Sequence, residues 1–372
     1  MSLNNLVEMS NRYGENEEFV LAGGGNTSFK ENGKLYVKGS GAQLSDIRGE
    51  QFVAMDMEKL LKMVEREYPT SMTNSEREEK ALSDMMASRL PGEEEKRPSV
   101  ESILHAMFPY KFVLHVHPPL INGLTCAVGG EASFNDLFGD KAVWIGLTKP
   151  GLVLAQTCSN VFAEYAKKTG NFPQIVILQN HGIFVAADTV EEIDKIMLYV
   201  VDTIKKQIKE SPDFNDVEYD KNLADTIAGK LKKLYSDKSD ETAVVLFCKN
   251  KQVQKLLSDK EAFKPISKPF SPDHIVNCKD EPLFIEPDAD VESEFNAYKA
   301  RKGYRPKIAA VRGLGFFAMS ENQRNAERAK ALFLDSIKIA TYAKSFGGAN
   351  PLDDEFTDFI LNWEVEAYRS KA

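Results

Sequence analysis

Short apolar runs alternate with amphipathic stretches through residues 1–210. The runs predict strands, and the stretches with apolar residues three or four apart predict helices. An amphipathic helix opens the chain, and closely spaced early strands favour hairpins, so the pattern predicts an α/β or α+β sheet with some antiparallel pairing. The predicted strands are Phe19–Leu21, Lys34–Val37, Phe112–His117, Ala142–Ile145 and Ile175–Leu178. The predicted helices are Met57–Glu65, Ser75–Arg89, Val100–Phe108, Ser159–Lys168 and Thr189–Ile208.

The pattern changes after this first run. Residues 211–240 are rich in Lys, Asp and Glu and predict a charged helical connector. Thr242–Phe247 is again an apolar, β-branched segment and begins a second α/β run. Because 372 residues are long for one domain, we divide the chain into a catalytic region 1–210, the connector 211–240 and a C-terminal α/β region 241–372.

One internal similarity links the two regions. Residues 175–204 align without a gap on residues 308–337, and both predict strand, glycine-containing turn, short strand and long amphipathic helix. Gly182 falls on Gly315, but His181 falls on Leu314. Any two strand–turn–helix units share some likeness, which is the competing explanation. A true repeat would mean that the C-terminal region is a degenerate copy without metal ligands.

Composition narrows the range of partners. A net charge of -9 and a pI near 5.3 argue against nucleic acid or an anionic membrane as the main partner, although a local basic pocket for one anionic ligand needs only a few donors. The N-terminus lacks a basic segment followed by an apolar core, and no apolar stretch approaches the roughly 18 residues of a membrane span. The 4 cysteines form no CxxC pair. We therefore expect a cytoplasmic protein with reduced thiols.

Three of the 5 histidines form a candidate metal site. His115 and His117 are two apart in a predicted strand, so their side chains share one face, and the prolines that follow end the strand there. His181 ends another apolar strand, and Gly182 lets the backbone turn tightly beside it. Three imidazoles leave a coordination position open, which is the catalytic zinc arrangement rather than the structural one. The alternative is that these are core histidines bonded to the backbone.

Glu101 is the candidate acid–base residue. Ser99 can cap the helix that follows, which places Glu101 in its first turn, shortly before the strand with the two histidines. The alternative is a glutamate that only complements the helix dipole. His105 lies four residues further on the same helix face, where it could support the site or simply pack.

Two glycine-rich turns lie about ten residues apart, at residues 22–29 and 37–41. Such turns expose backbone N–H groups that can hold a phosphate or a carboxylate, and Asn26, Thr27, Lys38 and Ser40 add donors or charge. Neither turn matches a Walker or dinucleotide motif, and glycine-rich turns are often only turns. The pair is therefore a candidate anion site.

The motifs GGGNTS, VKGSG, PSVE, HVH and QNHG, in this order, resemble the class II aldolase/adducin family. The closest resemblance is to the aldolase portion of bifunctional rhamnulose-1-phosphate aldolase/lactaldehyde dehydrogenases. It implies a three-layer αβα fold with a largely antiparallel central sheet, with a C-terminal α/β extension beyond it. It also implies zinc on His115, His117 and His181, with Glu101 as acid and base. Asn26, Ser40 and Gly41 would lie where this family binds substrate phosphate.

Two departures qualify the resemblance. Ser99 matches the first serine of the phosphate motif PSSE of smaller family aldolases, but the second serine is Val100 here; Lys38 could compensate. No GxxxGxG-type nucleotide turn follows the aldolase-like region in this chain, so we expect a separate protein to oxidise an aldehyde product.

The implied reaction is zinc-dependent retro-aldol cleavage of a ketose-1-phosphate, such as a rhamnulose- or fuculose-1-phosphate, to dihydroxyacetone phosphate and a small aldehyde. In it, zinc stabilises an enediolate while Glu101 moves a proton to or from its carbon. Epimerisation at C4, dehydration or decarboxylation on the same metal site is the alternative for a phosphorylated or acidic sugar. A non-enzymatic adducin-like module is the third reading, disfavoured because all three histidines are present. The family also suggests a homo-oligomer, typically a tetramer with sites near subunit interfaces.

Overall fold

The structure is a computed structural model that describes residues 2–69, 71–236 and 243–362. The chain divides into two compact units, of which the first comprises residues 1–125 and 131–207 and the second comprises residues 126–130 and 208–372. The end of the predicted connector, residues 237–240, lies outside the described residues, as do Thr242 and residues 363–372 of the predicted C-terminal region. Among the described helices, none is long and apolar enough to span a membrane.

The first unit contains eight helices and seven strands within the described ranges. Its helices are α1 (Ser2–Gly14), α2 (Met57–Val64), α3 (Asn74–Met86), α4 (Ser102–Met107), α5 (Pro119–Thr125), α6 (Gly130–Phe138), α7 (Leu152–Thr169) and α8 (Val190–Lys205). Its strands are β1 (Asn26–Glu31), β2 (Lys34–Lys38), β3 (Phe52–Asp56), β4 (Phe112–Val116), β5 (Val143–Ile145), β6 (Ile175–Leu178) and β7 (Gly182–Ala187).

These strands form one sheet in the order β3-β2-β1-β4-β7-β6-β5. Every neighbouring pair is antiparallel except β5 and β6, which are parallel. The predicted largely antiparallel α/β sheet is confirmed. In its centre, β4 pairs with β1 on one side and β7 on the other, so His115 lies opposite both Asn26 and Phe184.

Helices cover both faces of this sheet, as a three-layer arrangement requires. On one face α1, α5 and α8 contact the strands or one another, with Leu6 and Ile193 buried. On the other face α2, α4 and α7 enclose a core that includes Leu104, Val113 and Phe184. Burial of strand side chains on both faces explains why β4, β6 and β7 read as continuous apolar runs.

One strand prediction is wrong. Phe19–Leu21 forms a turn, in which the Phe19 N–H donates to the Asn16 carbonyl and the Gly24 N–H donates to the Leu21 carbonyl. The strand begins later, at Asn26, in what reads from sequence as a polar loop. Pairing with β2 and β4 satisfies its backbone, and its polar side chains are buried by one another. The hairpin expected near the start of the chain is therefore β1–β2.

The second unit contains a smaller sheet. Its described helices are α9 (Lys221–Tyr235), α10 (Lys251–Leu256), α11 (Lys260–Phe263), α12 (Pro272–Cys278), α13 (Val291–Lys302), α14 (Gln323–Ala343) and α15 (Asp354–Asn362). Its strands are β8 (Val244–Cys248), β9 (Leu283–Ile285), β10 (Ile308–Val311) and β11 (Gly315–Ser320), in the order β8-β11-β10-β9.

The smaller sheet repeats four strands of the larger one. Its neighbours are antiparallel, antiparallel and parallel, as they are in β4-β7-β6-β5. A side chain on Gly182 would meet the Val116 carbonyl oxygen at 2.5 Å, and one on Gly315 would meet the Cys248 carbonyl oxygen at 2.6 Å. The internal similarity thus extends from sequence to strand order and to the tight contact at the turn.

Candidate metal centre

His115 and His117 come from the end of β4. Alternation along the strand sends both imidazoles to the same face, and their Nε2 atoms lie 2.9 Å apart. His115 is fully buried, with its ring stacked on Phe184 at 4.0 Å between centroids. Its Nδ1 lies 3.0 Å from the Ile183 carbonyl, which can only accept, so Nδ1–H donates and Nε2 keeps its lone pair for a ligand.

His181 comes from the turn between β6 and β7. Asn180 adopts φ +53°, which turns the chain sharply before the histidine, and the Asn122 amide donates to the His181 carbonyl at 3.2 Å. Gly182 then passes against β4, where a Cβ atom would lie 2.5 Å from the Val116 carbonyl oxygen. The absence of a side chain is therefore what lets this turn approach the other two histidines.

The three imidazoles converge on one point. One nitrogen from each of His115, His117 and His181 lies within 4.8 Å of the others. Nitrogen atoms bound to one zinc at about 2.0–2.1 Å must lie within roughly 4 Å of one another, so this spacing fits a shared divalent ion. The sequence prediction that these histidines come together is met by the geometry.

Glu101 completes the cluster from the start of α4. Its Oε1 lies 3.4 Å from Nε2 of His115 and 3.4 Å from Nε2 of His181. This oxygen is buried and makes no hydrogen bond among the described residues, a costly arrangement for a carboxylate unless a cation is bound beside it. The orphaned oxygen and the three neutral nitrogen donors fit a divalent metal.

Electrostatics keep the Glu101 carboxylate charged. Burial would raise its pKa, but His115, His181, the Asn26 hydrogen bond and His117 outweigh burial and lower the pKa to about 2. Burial, only partly opposed by Glu101, lowers the pKa of His115 well below its ordinary value. The cluster is thus one carboxylate facing neutral imidazoles, which is the donor set that a zinc-like ion prefers.

A buried polar network holds Glu101 in place. The Asn26 amide donates to Glu101 Oε2 at 2.5 Å, and the Asn26 carbonyl oxygen is bonded to His105 Nε2. His105 Nδ1 lies 2.7 Å from the Ser28 hydroxyl, and burial lowers the His105 pKa to about 3. A neutral imidazole whose Nε2–H donates to Asn26 fixes the orientation of the amide. His105 therefore supports Glu101, which its place four residues after Glu101 only suggested.

The two glycine-rich turns lie beside this network. Lys38 Nζ donates to the carbonyls of Gly23 at 2.9 Å and Gly25 at 2.8 Å, so its charge holds the first turn. Gly25 has φ +66°, and a Cβ atom there would lie 2.8 Å from the His115 carbonyl oxygen. The first turn thus passes directly against the histidine strand.

The second turn pairs with the segment that leads into Glu101. The Ser99 N–H donates to the Lys38 carbonyl at 3.0 Å, and the Ser40 N–H donates to the Arg97 carbonyl at 2.7 Å. Ser40 and Ser99 are partly exposed and Gly41 is exposed. Backbone pairing therefore brings these predicted anion-binding residues side by side.

Thr27 is not brought to this cluster. Its side chain is fully buried on the opposite face of β1 from Asn26, with its hydroxyl 2.7 Å from the Ser10 hydroxyl. Strand alternation separates two residues that share one glycine-rich motif. Thr27 contributes to the contact between β1 and α1, and only its neighbour Asn26 faces the histidines.

Known proteins share this fold and sequence. A Bacillus subtilis (strain 168) protein described as uncharacterized oxidoreductase YuxG is 24% identical over 418 aligned positions, which cover 98% of this chain. The chain spans only 57% of that protein's length. The N-terminal class II aldolase domain of a Thermoplasma acidophilum protein is 26% identical and covers 55% of this chain and 93% of its own, with a TM-score of 0.47. For L-fuculose-1-phosphate aldolase from Thermus thermophilus the values are 13%, 55%, 91% and 0.35.

The family comparison covers the first unit almost completely. The model of the class II aldolase and adducin N-terminal domain matches residues 4–208, more than half of the chain. The matched region contains the seven-stranded sheet, the three histidines, Glu101 and both glycine-rich turns. The chain belongs to the class II aldolase and adducin family.

Proposed function

We propose that this protein is a metal-dependent aldolase that cleaves a ketose-1-phosphate to dihydroxyacetone phosphate and a small aldehyde. The observation that carries the proposal is the buried Glu101 Oε1, 3.4 Å from two of three converging histidines. A domain that had lost its chemistry would gain nothing from keeping a charged carboxylate buried there. Membership of the aldolase and adducin family favours carbon–carbon lyase chemistry at this site.

His115, His117 and His181 would hold the metal, with zinc as the preferred ion for three neutral imidazoles. A bound divalent ion supplies Lewis acidity, which polarises the ketose carbonyl and stabilises the charge left when the carbon–carbon bond breaks. The residues of the chain supply orientation. Phe184 stacks on His115, and the Ile183 carbonyl fixes its tautomer, so the imidazole is held before substrate arrives.

Glu101 would move the proton. After the aldehyde departs, the carbon it leaves must gain a proton, and in the reverse direction the same carbon must lose one. Oε1 faces the cluster, while Oε2 is held by the Asn26 amide at 2.5 Å, so one oxygen is anchored and the other is free to act. Binding of a substrate oxygen nearby would replace histidine contacts and raise the basicity of the carboxylate towards its working range.

The glycine-rich turns would receive the substrate phosphate. Ser40, Gly41 and Ser99 present hydroxyl and N–H donors next to one another, in backbone segments paired through Lys38 and Arg97. Asn26 lies between this region and Glu101. The side chain of Asn26 is occupied by Glu101 and His105, so its part in substrate binding would be to hold the carboxylate. We include a cytoplasmic location and a homo-oligomer, such as a tetramer, in the proposal.

The test is a screen of ketose-1-phosphates with the metal-loaded protein and coupled detection of dihydroxyacetone phosphate. Rhamnulose- and fuculose-1-phosphate come first, because the sequence resembles the aldolase portion of rhamnulose-1-phosphate enzymes. Release of dihydroxyacetone phosphate, abolished by chelation and restored by zinc, is the expected result. Failure on all substrates by a metal-loaded protein would contradict the aldolase proposal and direct attention to 4-epimerase, dehydratase or decarboxylase chemistry on the same site.

A variant separates metal binding from proton transfer. Glu101→Gln keeps the shape of the side chain and an oxygen that can accept from Asn26, so the metal should remain bound. Exchange of solvent deuterium into dihydroxyacetone phosphate, followed by NMR, should fall by roughly 10²–10⁴-fold. Exchange at the wild-type rate would remove Glu101 from the role of acid and base.

A further inference from the structure

A second pocket, in the second unit, collects positive charge in an otherwise acidic chain. It is a cavity of about 330 Å³, within the size range of small-ligand sites. It is lined by four cations, one carboxylate, two tyrosines and a glycine: Lys279, Lys299, Arg305, Lys307, Glu321, Tyr235, Tyr304 and Gly303. The whole chain carries a net charge of -9, so a local excess of three positive charges is unlike the rest of the surface.

The tyrosine rings set the geometry of these cations. The Arg305 guanidinium lies 5.2 Å from the centre of the Tyr235 ring, and Lys307 Nζ lies 5.6 Å from the same ring. Lys279 Nζ lies 5.1 Å from the centre of the Tyr304 ring. Cation–π contacts at these distances hold cations in place without neutralising them.

The carboxylates nearby do not cancel this charge. Glu321 is bonded to Lys307 at 3.0 Å and to the Ser320 hydroxyl at 2.8 Å, so it neutralises one of the four cations. Asp280 directs its carboxylate to Lys302 at 2.6 Å and to the Tyr304 hydroxyl. Burial, and then repulsion by Lys307, lower the pKa of Lys279 in spite of Asp280 and Glu321. A bound anion would relieve that repulsion.

The backbone also places Lys279 deliberately. It follows the last residue of α12 with φ +69°, a conformation that costs a non-glycine residue on the order of 1–3 kcal/mol. Its N–H donates to the Ile275 carbonyl at 3.0 Å and closes the helix. Glycine or asparagine is the usual residue at such a helix end, so the lysine side chain gives this position a reason beyond capping.

The pocket has no counterpart at the metal centre. In the repeated hairpin, Leu314 takes the place of His181, at the turn between β10 and β11. Lys307 precedes β10 and Glu321 follows β11, at the other end of the same hairpin. The pocket is therefore not a remnant of the histidine site, and the second unit has its own chemistry.

We propose that this pocket binds the phosphate group of a small phosphorylated metabolite. Lys279, Lys299 and Arg305 would contact the phosphate oxygens, with Lys307 held by Glu321 at the edge. Fixed cations at a cavity of this volume suit a dianion, and the tyrosine rings suit the organic part that carries it. The ligand class extends to sugar phosphates and nucleotides, which share this group.

Pyridoxal phosphate is a suitable probe, because it carries a phosphate and an aldehyde. The aldehyde condenses with a neutral lysine amine and loses water, and borohydride then reduces the imine to a stable secondary amine. Applied to the full chain and followed by peptide mass spectrometry, the reagent should modify Lys279 several-fold faster than Lys233, an exposed lysine of α9. Inorganic phosphate or pyrophosphate should protect Lys279 and leave Lys233 unchanged.

Two variants sharpen the test. Lys299→Gln removes an exposed charge of the pocket without touching the fold, and it should weaken protection of Lys279 by phosphate by about tenfold. Lys233→Gln makes the same charge change outside the pocket and should leave protection unaltered. Modification of Lys279 no faster than Lys233, absence of protection, or equal protection in the Lys299→Gln protein would each overturn the proposal.

Discussion

Gly182→Ala is expected to abolish metal binding while destabilising the fold only moderately. Gly182 lies immediately after His181, and an added Cβ atom would lie 2.5 Å from the Val116 carbonyl oxygen and 2.6 Å from Cδ2 of His117. The substitution therefore pushes the turn with His181 away from the strand that carries the other two ligands. Both contacts involve the metal centre itself.

The magnitude follows from those distances. Relief of a 2.5 Å contact to a van der Waals separation of about 3.5 Å requires movement of roughly 1 Å. Metal–ligand distances tolerate only about 0.2 Å, so the displacement is several times what a bound zinc accepts. Overpacking of this kind costs about 1–3 kcal/mol of unfolding free energy, which a domain of this size can withstand.

Gly315→Ala is the matched control from the repeated hairpin. Its Cβ atom would lie 2.6 Å from the Cys248 carbonyl oxygen, beside Leu314 rather than a histidine. Thermal unfolding by circular dichroism should show a loss of stability in both variants, whereas metal analysis should show loss of the ion only in Gly182→Ala. A Gly182→Ala protein that holds its metal with wild-type affinity would refute this reasoning.

Two further predictions concern stability. The Lys30 ammonium donates to the Tyr110 carbonyl in a buried site, and burial lowers its pKa to about 7. Between that value and the ordinary 10.5 the folded chain binds fewer protons than the unfolded chain, so unfolding free energy should rise with pH, by at most about 1.4 kcal/mol per unit. Urea unfolding at pH 7 and 9 should show that Lys30→Met removes this rise; an unchanged rise would contradict it. Thr189 caps α8 through the Glu192 N–H, so Thr189→Ala should cost about 1 kcal/mol in the same assay, and Thr203→Ala, at an exposed site, much less.

Local patterns were sufficient to predict the metal ligands. Strand alternation puts His115 and His117 on one face, and a histidine before a glycine marks a turn that can approach another strand. Those rules depend on neighbours in sequence. The same is true of most helices and apolar strands of the first unit, whose patterns are strong.

Long-range polar contacts were not readable in this way. β1 is polar along its length, and it is a strand because β2 and β4 pair with it and bury its side chains. The Asn26 amide meets residues 75 and 79 positions away, so its bond to Glu101 and its support from His105 depend on the assembled sheet. The orientation of Thr27 away from the site follows from the same register, which a loop assignment hides.

The most direct test of the account is the metal content of the purified protein. Elemental analysis after exhaustive dialysis should give about one zinc or comparable divalent ion per chain. Glu101→Gln should retain the ion, whereas His117→Ala, which removes a partly exposed ligand and spares the core, should lose it while remaining folded by circular dichroism. A folded wild-type protein that takes up no divalent metal, or a His117→Ala protein that binds as much as wild type, would contradict the metal centre on which the proposed reaction depends.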